Sequence, residues 1–148
     1  MDINIKLAGS LIDAFDSEDT AIVLWDNNDN VLYRNKKTSE RWLKLKLDFE
    51  IGQNFYDRLK KVDALKLLSK QEQNLRKDNY TKAKSSGLSQ QFVIKGPTGR
   101  WVQVKDTPTS EGNMLTLMTN VTDVIDKDIE RQRLSSAMEN VPLIIQYW

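Results

Sequence analysis

The chain has 148 residues, the size of a single domain, and its 39% hydrophobic and 29% charged residues are enough to build a core. Its 22 basic and 21 acidic side chains leave a formal net charge of +1, which argues against a dedicated nucleic-acid or acidic-membrane binder. With no cysteine there is no disulfide, thiolate metal site, thiol nucleophile or cysteinyl adduct, and with no histidine there is no imidazole base, imidazole-ligated haem or phosphorylatable histidine.

The first element reads as an amphipathic helix over residues 1–17. Leu7, Leu11 and Phe15 step by four, with Ala8 and Ile12 beside them, and the polar stretch Asp16 to Asp19 ends the stripe. Two short apolar runs follow, Ala21 to Trp25 and Val31 to Tyr33. The polar residues Asp26 to Asn30 between them predict a hairpin. Asn35 is placed to cap a helix carrying Trp42 and Leu43, which the DFEIG stretch ending at Gly52 breaks. From Asp57 to about Lys84 the pattern is helical again, with Leu59, Val62, Leu65 and Leu68 recurring every three residues. Periodicity does not distinguish one long helix from two bent ones.

Three further strands are punctuated by turn residues. Gln91 to Lys95 stops at Gly96–Gly99, Arg100 to Lys105 stops before Thr107-Pro108, and Met114 to Val121 follows Gly112. A charged helix then starts at Asp123 and serves as a connector over residues 126–140, where Ile125 and Ile129 are spaced by four. The expected layout is α+β: a five-stranded antiparallel sheet with helices on one face, an N-terminal amphipathic helix and a C-terminal connector helix. Leu11–Trp25 also lies over Leu134–Trp148 without a gap. The two are identical at Leu11/Leu134, Ala14/Ala137, Ile22/Ile145 and Trp25/Trp148, which reads as the start of a repeat at 141–148.

Several of these segments together resemble the PAS domain family. They are Trp25-Asp26 with its polar turn, the strand ending at Asn35, Ile51-Gly52-Gln53-Asn54-Phe55, the strand opening at Gly99-Arg100-Trp101-Val102, and Asn120-Val121-Thr122-Asp123 before the exit helix. The resemblance covers residues 18–125 and implies a PAS fold, with 141–148 opening a truncated second copy. It also implies a sensory and dimerisation module of a larger bacterial signalling protein, first a sensor histidine kinase and second a diguanylate cyclase. The alternatives are a ligand-free interaction scaffold or a non-covalent flavin sensor. The light-oxygen-voltage and histidine-haem subtypes are ruled out by composition.

The motif positions have structural readings of their own. Asp26 suits an Asx turn, Asn35 a helix cap, Gly52 and Gly112 a positive φ, and Thr122 and Asp123 a bond to local amides where strand becomes helix. Trp42, Phe49, Phe55 and Leu59 fall on helices facing the sheet and are the candidate ligand pocket. Alternation sets Ala21, Val23 and Trp25 on one face of the first strand and Ile22 and Leu24 on the other, and both faces of the first and last strands read as apolar, so Leu7, Leu11, Phe15 and Trp25 are expected in a homodimer interface. No catalytic residue, metal or cofactor is expected, although an unknown small ligand is compatible with the pattern. Partners should be a second copy and a downstream effector in the same parent chain, with no nucleic acid and no direct membrane contact. The start MDINIKLAGS lacks a secretory signal and no apolar run nears the roughly 20 residues that span a bilayer, so a cytoplasmic location is expected.

Overall fold

The computed structural model describes residues 20–38, 48–95 and 99–139, with side chains as far as residue 135. The expectations for the helix over 1–17 (Leu7, Leu11, Phe15), for Trp42 and for the repeat at 141–148 lie outside the described residues. In chain order the elements are β1 (Ala21–Trp25), β2 (Val31–Arg34), α1 (Phe55–Ala64), α2 (Lys70–Ser86), β3 (Gln90–Lys95), β4 (Trp101–Pro108), β5 (Met114–Asn120) and α3 (Thr122–Glu139). The strands form one antiparallel sheet in the order β2-β1-β5-β4-β3. The expected α+β layer of five strands with helices packed on it is therefore the observed one.

The hairpin turn between β1 and β2 forms for the reason its composition suggested. Asp26 accepts from the amides of Asn28 and Asn30 at 2.8 and 2.9 Å, an Asx arrangement that adds to the backbone bonds of the turn, Asp29 N–H to the Asp26 carbonyl and Asp26 N–H to the Asn30 carbonyl. Asn35 caps as expected, accepting from the Thr38 amide at 3.2 Å. It also accepts from the Ile22 amide at 2.9 Å and donates to the Thr20 carbonyl at 2.8 Å, so one buried amide closes both the helix start and the edge of β1. Gly52 turns back onto β2 with φ +87°, and its amide donates to the Val31 carbonyl at 2.8 Å.

The region from Asp57 to Lys84 is two helices. Asn54 caps α1, which starts at Phe55, two residues before Asp57, and accepts from the amides of Tyr56 and Asp57. The chain then breaks over Leu65–Leu68, where Lys66 takes φ +53°, and Ser69 opens α2 with a reciprocal capping box to Glu72. The signature was present as Ser69-x-x-Glu72; the run of leucines every three residues masked it. Strand β4 also continues past Lys105, because Thr107 and Pro108 pair with Leu115 and Met114. Pro108 is the strand's last residue, a position where a missing N–H costs the ladder least.

Strand alternation puts Ala21, Val23 and Trp25 of β1, Val104 and Asp106 of β4, and Met114, Thr116 and Met118 of β5 on the face covered by α1 and α2. Trp25 was expected at a dimer interface. It is instead wholly buried in the core, because its parity places it under α1 and α2. Ile22, Leu24, Leu115 and Leu117 share the opposite face. Among the described residues no helix is long and apolar enough to cross a membrane.

Candidate functional site

Three of the four residues proposed to line a pocket converge on the inner face of the sheet. Phe49 and Phe55 belong to the buried core, and Leu59 packs against it. Their neighbours are aromatic. The Phe55 and Tyr80 rings stack at 3.9 Å between centroids, and Trp25 meets Phe49, Phe55 and Tyr80 edge-on at 5.9, 5.2 and 6.0 Å. Edge-to-face contacts set the positive rim of one ring against the negative face of another, so this cluster is oriented as well as apolar.

Inside it lies a polar network that sequence reasoning missed. Asp106 is fully buried on β4. It accepts from Arg76 at 2.6 Å, from Asn79 at 2.7 Å and from the Thr116 hydroxyl at 2.6 Å, while the Trp25 indole N–H donates to Thr116 at 2.9 Å. Each member is satisfied by the next, which makes a buried charge tolerable in a low-dielectric interior. Arg76 spans this network and the aromatic cluster, its guanidinium 4.8 Å from the centre of Phe55. A second guanidinium, Arg58, is buried 3.4 Å over Phe49. Burial, and then the nearby Arg76, lower its pKa to about 9 against the opposing pull of Asp48. Arg34 pairs with Asp48 at 3.1 Å, which fastens the segment carrying Phe49 to β2.

At the turn end of the sheet, Tyr80 donates to Asp29 at 2.7 Å and Lys84 donates to the same oxygen at 2.8 Å. Burial, and then that hydrogen bond, push the Tyr80 phenol well above the 10.0 of a free tyrosine. As pH rises the unfolded chain gives up this proton first, so the folded state binds the extra proton. The stabilisation is complete below pH 10 and drains away above it. The urea midpoint of the native protein is therefore expected to fall more steeply above pH 10 than that of Tyr80→Phe. Parallel curves would remove Tyr80 from the alkaline transition.

The remaining predicted motif residues sit at the start of α3, with one change of role. Asn120 accepts from the Thr122 amide and hydroxyl at 3.0 and 2.7 Å. Thr122 reaches across to β4, accepting from the Trp101 amide at 2.9 Å, and the Val121 amide donates to the Trp101 carbonyl at 2.9 Å. The local bond expected of Thr122 and Asp123 thus belongs to Asn120, which accepts from the amide two residues on, an Asx turn. Asp123 is exposed in the first helical turn, where a carboxylate complements the helix dipole. Among the described residues no group of three or more carboxylates could hold a metal ion.

No protein-family model and no curated protein matches the sequence. Solved structures do. The PAS domain of a protein from Colwellia psychrerythraea aligns with TM-score 0.54 at 17% identity, over 79% of this chain and 98% of that one. The PAS domain of the RpfR quorum-sensing receptor of Cronobacter turicensis, in complex with C12:0, aligns with TM-score 0.51 at 21% identity, over 72% and 97%. The chain has a PAS fold. A sensory box sensor histidine kinase from Vibrio cholerae aligns with TM-score 0.50 at 13% identity, over 82% and 94%. In this PAS fold the aromatic and ionic cluster occupies the space between the sheet and α1–α2, and α3 leaves directly from β5.

Proposed function

We propose that the chain is a sensory module of a larger signalling protein, in which a change at the inner core is relayed along β4 to α3 and on to an effector, first a histidine kinase. One observation supports the relay above all. Strand β4 carries Asp106 in the buried network and, farther along the same strand, Trp101, whose amide and carbonyl both bond the start of α3. A strand paired on both sides moves as a unit, so a shift of Asp106 is felt at Thr122. A small molecule favouring one arrangement of the core would bias that equilibrium by its difference in affinity for the two states. The RpfR domain with its C12:0 suggests an apolar ligand reaching Phe49, Phe55 and Leu59. Pairing of two copies belongs to the same reading, and catalysis within this chain does not.

A double-mutant cycle tests the relay. Asp106→Asn is expected to speed amide exchange at Ile125, in the first turn of α3, by about threefold or more, as befits a weakened charge-assisted bond. In a Thr122→Val background, where the tie to Trp101 is already gone, the same change should have little further effect. Strict additivity of the two substitutions would defeat the relay.

A further inference from the structure

We propose that the cleft between the β1–β2 turn, the C-terminal end of α2 and the β4–β5 hairpin is a binding site for a small zwitterion of the α-amino-acid class. This goes beyond the core relay and stands without it. The cleft has a volume of about 230 Å³. Tyr80 and Met114, both buried, contribute its apolar surface, and Asp26, Asp29, Lys84 and Asn113 its polar one.

The charges are arranged for exchange. The Asp26 carboxylate is pinned by the amides of Asn28 and Asn30, and Tyr80 is held by its stack on Phe55. Lys84 is different: its side chain is 43% exposed, and its ammonium rests on Asp29 at 2.8 Å and on the Asn27 carbonyl at 3.2 Å. An incoming ammonium group can take that place on Asp29, and the freed Lys84 ammonium can then meet the ligand's carboxylate. One ion pair is replaced by two, with no uncompensated charge. The C-terminal end of α2, capped by Gly87, adds partial negative charge that favours the ligand's ammonium end. A simple amine would have to evict Lys84 without offering it a partner, and a simple acid would face two carboxylates. The hairpin wall belongs to β4 and β5, so occupancy bears on the strands that lead to α3.

Titrating the isotope-labelled chain with L-alanine, ethylammonium and propionate, followed by amide resonances, tests this. L-alanine is expected to shift the Asp29, Gly87 and Gly112 amides saturably, with the other two compounds binding about tenfold more weakly or worse. Asp29→Asn should abolish the response; asparagine tolerates the left-handed backbone found there, φ +67°. Lys84→Met, on an exposed stem, should weaken L-alanine about tenfold while letting ethylammonium bind more tightly than it does to the native chain. No saturable shift with L-alanine, equal binding of all three compounds, or a response that survives Asp29→Asn would each overturn the proposal.

Discussion

Trp25→Ala is expected to lower the unfolding free energy by about 3–5 kcal/mol, the range for deleting a large buried aromatic side chain. The residue has no exposed surface, meets three aromatic rings edge-on, and donates its indole N–H to Thr116. Its removal opens a cavity beneath α1 and α2 and leaves Thr116 with one partner fewer. Trp25→Phe should cost less, since the ring contacts largely survive and the loss is chiefly the bond to Thr116. Urea titration reads both variants, and sedimentation velocity adds the decisive control. If Trp25→Ala altered association while leaving the urea midpoint in place, the tryptophan would belong at an interface and not in the core.

Asp106→Ala should cost about 3 kcal/mol or more, for an electrostatic reason rather than a packing one. It strips Arg76 of its carboxylate where the guanidinium side chain is only 13% exposed, and it takes an acceptor from both Asn79 and Thr116. The paired replacement Asp106→Leu with Arg76→Met should regain most of that loss, because no charge is then left buried alone. Recovery in the double variant would identify the isolated charge as the source of the loss. If the double variant were as unstable as the sum of the two singles, the network would be contributing through shape, and its role as an ionic cluster would fail.

Much of the architecture was legible because alternation and turn chemistry point the same way. Ala21, Val23 and Trp25 were assigned to one face and Ile22 and Leu24 to the other, and the register of β1 with β5 keeps that division. The Asx turn of Asp26, the capping bond of Asn35 to Thr38 and the positive φ of Gly52 follow from local spacing, whereas the bonds of Asn35 to Ile22 and Thr20 and of Gly52 to Val31 do not. Which face looked inward was not legible, since both are apolar, and Trp25 was consequently assigned to the surface. The buried network was missed for a related reason. On β4, Val102, Val104 and Asp106 alternate toward the helices, and on α2, Arg76, Asn79, Tyr80 and Ala83 share one side. A search for apolar periodicity passes over Asp106, Arg76 and Asn79, although the inward parity of an aspartate is itself a signal that a cation must answer it. The break between α1 and α2 was visible as Ser69 and Glu72, and the continuing leucine repeat obscured it.

The order of strands has a bearing on how the molecule is made. The first strand does not stay beside its successor alone: it is clasped by the last, with Ala21 facing Met118 across nearly the whole length of the described chain. Until β5 has been synthesised, β1 and β4 each have one side without a neighbour, and the loop to be closed is long. A nascent chain leaving the ribosome therefore holds two exposed seams until β5 emerges and zips them shut at once. Any truncation short of Asn120 would leave those seams open to self-association.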